Sequence, residues 1–587
     1  DPGSRAGPAA SRMSPSGPEL FSALAEGRFR RDTRWGAILH PGTVSLREAR
    51  ATDAVHVAVD GERLTVHVDR FSPLALTPGD GRRRYAPLRV AVHVMSLVGD
   101  AVGLLRGRHP ERCELLCDVV EIDDDELEPD WLGNGCPDVG GGRPEPGCVP
   151  FNVADEAVHL LDSPTEAWSI HLEARFGGRL DDDRLRAAVG AALARHPMAR
   201  ARKLPWRWTD HQYEWQIEPV PDLDPLTVVD CPDERALDAV RAQLQSLSVP
   251  LAEAPPLRLR LVHGPDGDVL MLNANHAATD GYGALRLLRS VARAYTGADD
   301  PVPELDLFAA RNLTAGLAAP DRATRVRRRL ALAEKLRDLA AAPARVAPVG
   351  PADQPGYRFR LASLGAEETA ALADLDHPGT VNDVLLAALN LAVHRWNAAQ
   401  GAPCGRVSVL VPANLRPRAW RDEVVGNFTL LTRLSTTARQ RASRRRALAA
   451  LTTQTQRKKR TGMGTALVEV LGASPVLPLW AKSALSPLLR LTGNRLVDTA
   501  VCSNLGRLDE PLSFGPGAGE ATAVHFTAPA RMPCGVSIGA VTAGGRLHLA
   551  FRYRRAQFDD DAAARFTERY LAELAALVAD VSRTGGG

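Results

Sequence analysis

The sequence predicts a protein of α/β or α+β class, and three observations support this prediction. Segments with the two-residue alternation of a strand and segments with the periodicity of a helix follow one another along most of the chain. Hydrophobic residues make up 45% of the 587 residues and charged residues 24%, values ordinary for a chain with a packed core. No internal repeat of fixed period is present. The composition also excludes a wholly disordered chain, a coiled coil and a collagen.

The charge balance and the hydropathy pattern bear on partners and location. With 72 Lys and Arg residues against 70 Asp and Glu residues the formal charge is +2, so no overall field favours nucleic acid or a membrane surface. Apolar stretches of the roughly 18–20 residues that a membrane span needs are interrupted, since Leu88–Leu105 contains Asp100 and Val476–Leu491 contains Lys482. No signal peptide is recognisable, and 8 cysteines are too few for a disulfide scaffold. We expect a cytoplasmic protein with no nucleic-acid partner and no membrane contact.

The N-terminal quarter of the chain differs in texture from the rest. Residues 1–29 begin with a Gly-, Pro-, Ala- and Ser-rich run and are expected to be a disordered, tag-like segment. Residues 30–132 predict a small mixed domain with a hairpin of Val55–Val59 and Leu64–Val68. The Gly- and Pro-rich stretch 133–150 is expected to be a linker. Because 30–132 carries no catalytic motif, we expect a packing or docking role for it.

The body of the chain, from Phe151 onward, alternates strand and helix signals. Three aspartates at 181–183 provide a helix cap, and Gly544 with Gly545 predicts a hairpin turn. The predicted elements are the strands Ser169–Phe176, Val269–Asn275 and Val407–Pro412, the helices Leu180–Arg195, Gly283–Tyr295, Val381–Trp396 and Asp559–Val578, and a hairpin of Val536–Ala540 with Leu547–Tyr553.

The most informative segment is the end of the predicted strand Val269–Asn275. The strand runs directly into His276, and Asp280 and Gly281 follow four and five residues later. A histidine that enters a loop at a strand end can face a cleft, and its ordinary pKa near 6.5 suits a general base. The ordinary alternative is a partly buried histidine bound to a backbone carbonyl, which is the more frequent situation for a histidine without further context.

Further segments give this histidine a context. The pattern His-x-x-x-Asp-Gly between a strand and a helix resembles the active-site motif of the chloramphenicol-acetyltransferase-like superfamily, which includes peptide-synthetase condensation domains and wax ester synthase/diacylglycerol acyltransferases. Other segments resemble motifs of the superfamily or its wax ester synthase branch in the same order, namely Leu180–Arg186, Arg195–Arg200, Val381–Val384, Val411–Pro417, Gly426-Asn427, Ser503–Gly506 and Tyr553–Asp559. The resemblance covers residues 150–587, about three quarters of the chain.

The resemblance implies a fold and an organisation. Two related lobes, each a sheet flanked by helices, are implied for residues 151–345 and 346–587, with a tunnel between them. His276 is implied to be the catalytic base. One departure is Asn275, which stands where many members have a first histidine; since the second histidine is the one assigned to chemistry, the departure bears on local packing and acceptor choice.

The resemblance also implies roles for other residues near the motif. In the superfamily the aspartate points away from the histidine and pairs with an arginine, so we expect an Asp280–Arg416 ion pair that holds the loop, together with Gly281, in shape. Asn382, Asp383, Ser503 and Asn504 are implied to belong to substrate-binding motifs.

Two competing motifs are less consistent with the sequence around them. Gly535–Gly539 matches the G-x-S-x-G elbow of serine hydrolases, but the elbow needs a helix after its turn, and here a second strand is predicted. Cys113, Cys117, Cys136 and Cys148 could in principle hold zinc, but they form no closely spaced CxxC pair. We expect no metal site.

Two basic runs leave three interpretations open. Arg325–Arg329 and Arg439–Arg460 are expected to be solvated helix faces, and the alternatives are docking of a phosphate on coenzyme A or phosphopantetheine, or contact with anionic lipid.

The sequence thus predicts an acyltransferase that condenses an acyl thioester with a hydroxyl or amine, with no tightly bound cofactor. The donor is expected to be acyl-CoA or a phosphopantetheinyl thioester on an acyl or peptidyl carrier protein, and the acceptor a small molecule of specialised metabolism. Two alternatives are a lipid-forming enzyme of the wax ester synthase type and a non-catalytic carrier-protein docking module.

Overall fold

A computed structural model of the chain describes residues 55–60, 63–68, 147–163, 166–207, 210–303, 305–311, 313, 342–350, 354–416, 420, 423–460, 478–480, 482 and 497–585. The chain separates into two compact units, and the larger one comprises Gly147–Trp206, Tyr213–Leu471 and Ser483–Gly587. No helix among the described residues has the length and apolar character that crossing a membrane requires. The expected disordered segment 1–29 lies outside the described residues, and the boundaries proposed for 30–132 and 133–150 stay predictions.

The hairpin predicted near the N-terminus is present. Strands β1 (Val55–Asp60) and β2 (Arg63–Val68) pair in antiparallel register, with Val55 opposite Val68. The two strands extend one residue beyond the predicted bounds at the turn.

The first half of the larger unit is built on a five-stranded sheet of order β14 (Ala521–Thr527), β4 (Ser169–Phe176), β9 (Gly267–Asn275), β8 (Leu257–Gly264) and β7 (Leu226–Asp230), in which only β7 and β8 run parallel. A second, three-stranded sheet has the order β3-β6-β5. The elements of this half are β3 (Cys148–Pro150), α1 (Val153–His159), β4 (Ser169–Phe176), α2 (Asp182–Arg195), β5 (Ala201–Lys203), β6 (Glu214–Ile217), β7 (Leu226–Asp230), α3 (Glu234–Ser246), β8 (Leu257–Gly264), β9 (Gly267–Asn275), α4 (Gly281–Thr296) and α5 (Leu307–Ala310).

The second half is built on a six-stranded sheet of order β10-β16-β15-β13-β11-β12. Strand β14 belongs to the second half in sequence, but it pairs with β4 and forms the edge of the first sheet. The elements are β10 (Tyr357–Ser363), α6 (Ala366–Ala373), α7 (Val381–Ala399), β11 (Val407–Asn414), β12 (Thr429–Thr436), α8 (Ala438–Arg441), α9 (Arg444–Arg460), β13 (Ala500–Arg507), β14 (Ala521–Thr527), β15 (Val536–Ala543), β16 (Arg546–Arg554) and α10 (Asp560–Gly585).

Strand β4 has one apolar and one polar face, and both are largely buried. Ile170 and Leu172 alternate with Ser169, His171 and Glu173. Phe526 of β14 lies opposite Leu172, on the apolar side where α4 begins. The polar side faces α3, since the Arg241 guanidinium donates to both carboxylate oxygens of Glu173 at 2.6 and 2.7 Å.

Strand β16 shows the same division in the second sheet. Leu549 and Phe551 pack in one apolar core with residues of α7 and α10, including Trp396 and Tyr570. Because side chains alternate along a strand, His548, Arg552 and Arg554 point to the other side. These three residues are also buried.

The predicted elements of the body are all present, and the mixed α/β class is confirmed. Strand β4 has the predicted bounds, whereas the last helix continues seven residues past Val578, to Gly585. The predicted hairpin turns at Gly544 and Gly545, whose φ angles are 54° and 74°. A two-residue turn that follows the twist of the strands needs positive φ at both positions.

Candidate active site

Strand β9 delivers His276 to a buried position at its end. The backbone N–H of His276 donates to the carbonyl of Trp168 at 3.3 Å, which ties the loop to the start of β4. The side chain is only 4% exposed, and its Nδ1 has no hydrogen-bond partner among the described residues. An imidazole held in this way keeps polar capacity for a group that the fold does not supply.

The surroundings of His276 favour the neutral imidazole. Burial lowers its pKa below the ordinary 6.5, and the carboxylate of Asp280 and the backbone carbonyls of His276 and Thr279 oppose that shift without cancelling it. A neutral ring retains a lone pair near neutral pH. The group can therefore accept a proton there.

Asp280 is bound on every side by groups other than the imidazole. Its Oδ1 accepts from the backbone N–H of Gly283 at 3.0 Å and caps α4. Its Oδ2 accepts from Arg416 Nη1 at 2.5 Å, from Phe428 N at 3.0 Å and from Thr429 Oγ1 at 2.9 Å. Burial would raise the pKa of Asp280, but the Arg416 guanidinium and these hydrogen bonds hold it below its ordinary value. None of these hydrogen bonds comes from His276, so Asp280 does not serve as the aspartate of a Ser-His-Asp triad.

The predicted Asp280–Arg416 ion pair is formed, and the Arg416 side chain is fully buried. Its Nη2 donates to the carbonyls of Gly426 at 2.7 Å and Val424 at 3.2 Å, and its guanidinium lies 4.7 Å from the centre of the Phe428 ring. Arg416 follows β11 of the second sheet, so the pair joins the two halves of the unit. We call Asp280, Arg416, Gly426, Phe428 and Thr429 the aspartate clamp.

Two glycines allow other segments to approach the loop closely. A Cβ added to Gly281 would lie 2.7 Å from Leu505 and 3.0 Å from Phe526, and one added to Gly283 would lie 2.9 Å from the Gly426 carbonyl oxygen. Such distances are too short for carbon contacts. The structure thereby brings the 503–506 and 426–427 segments to the His276 loop, as neighbours of α4.

Asn275 has a packing role. Its Nδ2 donates to Asp162 Oδ2 at 3.0 Å and to the Val249 carbonyl at 2.9 Å, and its Oδ1 accepts from Ala277 N at 3.0 Å. The last bond closes a turn directly after His276. Asn275 therefore holds the start of the loop in place.

The other motif residues have local partners. Asp383 Oδ2 accepts from both N and Oγ1 of Thr380 at 2.8 and 3.0 Å and caps α7, while Asn382 Oδ1 is buried without a described partner. Asn504 Oδ1 accepts from Gly506 N at 2.8 Å, and Ser503 lies opposite Gly539 in the sheet. Among the described residues, no hydrogen bond or ion pair joins Asn382 or Asp383 to the His276 loop, and their substrate-binding role stays a prediction.

The competing motifs take structural positions. Ser537 lies inside β15, and its Oγ donates to the Ala528 carbonyl at 2.6 Å, so the expected absence of a nucleophile elbow at 535–539 is confirmed. The Cys148 thiol donates to Gln216 Oε1 at 2.8 Å. Cys113, Cys117 and Cys136 lie outside the described residues.

Part of the second basic run is used inside the fold. Arg441 is buried and donates to the carbonyls of Thr436 and Cys404, and Arg444 Nε donates to Glu573 Oε2 at 2.9 Å. The run is therefore a solvated face only in part. Arg325–Arg329 lies outside the described residues.

The sequence interpretation missed a set of buried polar side chains on the inner faces of the two sheets. We call His171, Asn273, His525, His548 and Arg552 the polar row. His171 lies opposite Asn273 on β9 and Thr527 on β14, and the His525 and His548 rings are 5.2 Å apart. The signal was present in the sequence, because polar residues recur at every second position of 169–173 and, apart from Ala550, of 548–554.

Comparison with known proteins places this fold. An uncharacterized protein of Mycobacterium tuberculosis is 36% identical over 406 residues, which are 68% of this chain and 93% of that protein. A dimodular nonribosomal peptide synthase of Bacillus subtilis is 29% identical over 158 residues, but these span 26% of this chain and 6% of the synthase. No family model matches the chain.

Solved condensation domains share the architecture. The first condensation domain of the calcium-dependent antibiotic synthetase superposes with a TM-score of 0.55 at 16% identity and covers 74% of this chain and 97% of its own. The starter condensation domain of rhizomide synthetase gives 0.54 at 17% identity, covering 74% and 95%. The chain therefore has the condensation-domain fold. By sequence it belongs to the same family as the mycobacterial protein.

Proposed function

We propose that the protein is an acyltransferase in which His276 is the general base for condensation of an acyl thioester with a hydroxyl or amine. The observation that carries the proposal is a buried imidazole with a lowered pKa, at the end of β9, next to an aspartate that is fully engaged elsewhere. The aspartate clamp fixes the loop, and the His276 imidazole remains available to accept a proton from a substrate.

The proposed reaction needs one base and no resident cofactor. The imidazole accepts the proton of the acceptor O–H or N–H while the oxygen or nitrogen attacks the thioester carbonyl. The tetrahedral intermediate then collapses, the C–S bond breaks, and the imidazolium returns the proton to the departing thiolate. The products are an ester or amide and a free thiol. Base catalysis of this kind contributes about 10²–10⁴-fold, and positioning of the two substrates supplies much of the rest.

The similar proteins support the choice of donor. The rhizomide starter domain was solved in complex with C8-CoA and Leu-SNAC, which are an acyl-CoA and an aminoacyl thioester. A Streptomyces globisporus protein with a TM-score of 0.52 was solved with a naphthyl ethanediol, which is an alcohol. We propose acyl-CoA or a carrier-bound phosphopantetheinyl thioester as donor, and a small hydroxyl or amine compound of natural-product biosynthesis as acceptor.

The test is release of free thiol from a panel of acyl-CoAs on addition of alcohol and amine acceptors. The wild-type chain should release thiol in an acceptor-dependent way, and His276→Ala should lower the rate by about 10²-fold or more. His394→Ala, on α7 outside the loop, is the matched control and should keep the rate. Near wild-type turnover by His276→Ala with saturating substrates would contradict the assignment.

Two other outcomes separate the alternatives. A chain that binds a carrier protein but never releases thiol would support a docking module. Turnover confined to long-chain alcohols or diacylglycerol, with co-sedimentation on liposomes, would support a lipid-forming enzyme.

A further inference from the structure

Arg552 is the unusual member of the polar row. Its side chain is fully buried, and its Nη2 donates to the Ala167 carbonyl at 3.0 Å. Its Nε and Nη1 have no hydrogen-bond partner among the described residues. The guanidinium lies 3.8 Å from the centre of the Tyr357 ring, so one face is covered by an aromatic side chain.

The neighbouring carboxylates are engaged with other groups. Glu166 accepts from Arg554 Nη2 at 3.2 Å and from the Tyr357 hydroxyl at 3.1 Å. Asp162 accepts from Trp168 N at 2.8 Å and from Asn275 Nδ2 at 3.0 Å. No ion pair joins Arg552 to any carboxylate in the described part of the chain. A buried guanidinium with two unused donors is costly unless an anion meets it.

The imidazoles beside Arg552 add polar capacity without adding charge. Both ring nitrogens of His525 and Nε2 of His548 lack partners among the residues described. Burial lowers the pKa of His525 to about 4 and that of His171 well below its ordinary value. These rings are neutral near neutral pH. Arg552 is therefore the cationic member of the polar row.

The unused donors lie near the catalytic loop. Arg552 binds the carbonyl of Ala167, and the next carbonyl along the chain, that of Trp168, binds the backbone N–H of His276. Because Ala167 and Trp168 are consecutive residues, the Arg552 Nη2 atom lies within about 12 Å of the His276 backbone nitrogen.

A cavity of about 970 Å³ borders this region from the side of α3 and β10. Tyr357, whose ring Arg552 covers, contributes to its wall. Ser246 and Leu247 also line it, and the Leu247 carbonyl accepts from Asn273 Nδ2 at 2.9 Å. Two residues that contact the polar row, Leu247 and Tyr357, thus line the cavity, which is large enough for a small organic substrate.

We propose that Arg552, within the polar row, is a specificity-determining residue that binds a carboxylate of the substrate while the reacting group lies at His276. The inference rests on the proposed acyltransferase function and extends it to the chemical class of one substrate. The carboxylate belongs either to the acceptor, as in a hydroxy or amino acid, or to the acyl chain of the donor, as in a dicarboxylic monothioester. A carboxylate can accept a charge-assisted hydrogen bond from Nε or from Nη1, which lie on different edges of the guanidinium.

The test is calorimetric binding of two matched pairs to the full wild-type chain. The acceptor pair is 3-phenyllactate against 3-phenyllactamide, and the donor pair is glutaryl-CoA against pentanoyl-CoA. The acid of one pair should bind at least about tenfold more tightly than its neutral partner, equivalent to about 1.4 kcal/mol. The pair that shows the preference identifies the source of the carboxylate. Equal affinities within both pairs, or no binding by any of the four, would overturn the proposal.

Variants assign the preference to Arg552. Arg552→Gln should abolish the preference for the acid, and Arg552→Lys, which keeps the charge but not the fork of donors, should retain part of it. The control is Arg358→Met, since Arg358 lines the cavity beside Tyr357 but is partly exposed, 3.7 Å from Asp560. Loss of the preference in the control alone would place the carboxylate at the rim and overturn the assignment.

Binding separates this inference from the proposed function. His276→Ala should keep the preference for the acid even where it releases no thiol. A wild-type chain that prefers the acid but never turns over would leave the carboxylate site standing and refute the transferase. A chain that turns over without preference in either pair would support the transferase and refute the carboxylate site.

Discussion

The aspartate clamp and the polar row are both buried, but they differ in how their charged groups are paired. In the clamp, both carboxylate oxygens of Asp280 accept hydrogen bonds, and both terminal nitrogens of Arg416 donate them. In the polar row, Arg552 has one carbonyl partner and one aromatic ring, with Nε and Nη1 unused among the residues described.

This difference indicates that the aspartate clamp stabilises the fold, whereas Arg552 keeps hydrogen-bond donors for a ligand. A buried ion pair whose lone pairs are satisfied fixes the geometry of the elements it joins, here the start of α4 and the chain after β11. A buried cation without an ion-pair partner lowers the stability of the fold and raises the affinity for an anion. His276 lies between the two sets, in a loop held by the clamp.

The largest effect on stability is expected from breaking the clamp. Arg416→Met strands the buried carboxylate of Asp280, so the free energy of unfolding should fall by about 3–5 kcal/mol. Urea denaturation of the full chain, compared with wild type, measures this loss. Adding Asp280→Asn to that variant should cost less than the two single changes together, because the second change no longer strands a charge. Strict additivity would show that the two residues act independently.

A smaller effect is expected from filling the space beside the clamp. Gly283→Ala pushes a methyl group against the Gly426 backbone, and overpacking of this kind costs about 1–3 kcal/mol. Gly190→Ala is the matched control, since the space around Gly190 in α2 is open. The control should gain up to about 1 kcal/mol, as alanine is the better helix former. Equal unfolding midpoints for the two variants would show that the close approach at Gly283 is unimportant.

The polar row should respond differently from the clamp. Arg552→Met removes one hydrogen bond and one unpaired buried charge, and these two losses oppose each other. The free energy of unfolding should change by no more than about 1 kcal/mol in the absence of ligand. A loss as large as that of Arg416→Met would mean that Arg552 is part of the structural framework, and the contrast between the two regions would fail.

The pH dependence of stability tests whether the buried imidazoles of His276 and His525 are neutral. His276 and His525 have pKa values below the ordinary 6.5, that of His525 about 4, so the folded state binds fewer protons than the unfolded state between pH 6.5 and 4. Stability linked to them is complete above pH 6.5 and is lost as the pH falls through that window. The urea midpoint should decline from pH 6.5 to 4, and the acid limb of kcat/KM should lie below 6.5. A flat midpoint over that range would show that these imidazoles are not buried in the neutral form.

The sequence was sufficient for the parts of the site that follow from local pattern. The strand before His276 and the helix after Asp280 were predictable from local features, whereas the arginine that meets Asp280 followed from the resemblance to the superfamily's motifs. The pairing of β14 with the first sheet was not predictable, since it joins residues as far apart as His171 and Thr527, 356 positions along the chain, and leaves no local pattern. The polar row was missed for a related reason. Alternation shows that His171 and Arg552 share a face with other polar residues, but only the packing of the second sheet shows that this face is buried.

The most direct test of the account is to measure single-turnover thiol release and the melting temperature for His276→Ala and Asp280→Asn in parallel. His276→Ala should lose about 10²-fold or more in rate with an unchanged melting temperature, because it removes the base and leaves the clamp intact. Asp280→Asn should lower the melting temperature, because it weakens the buried pair with Arg416, and its loss of rate should follow from that weakening. An Asp280→Asn variant with the rate loss of His276→Ala and the melting temperature of the wild type would contradict the account and make Asp280 a catalytic partner of the histidine.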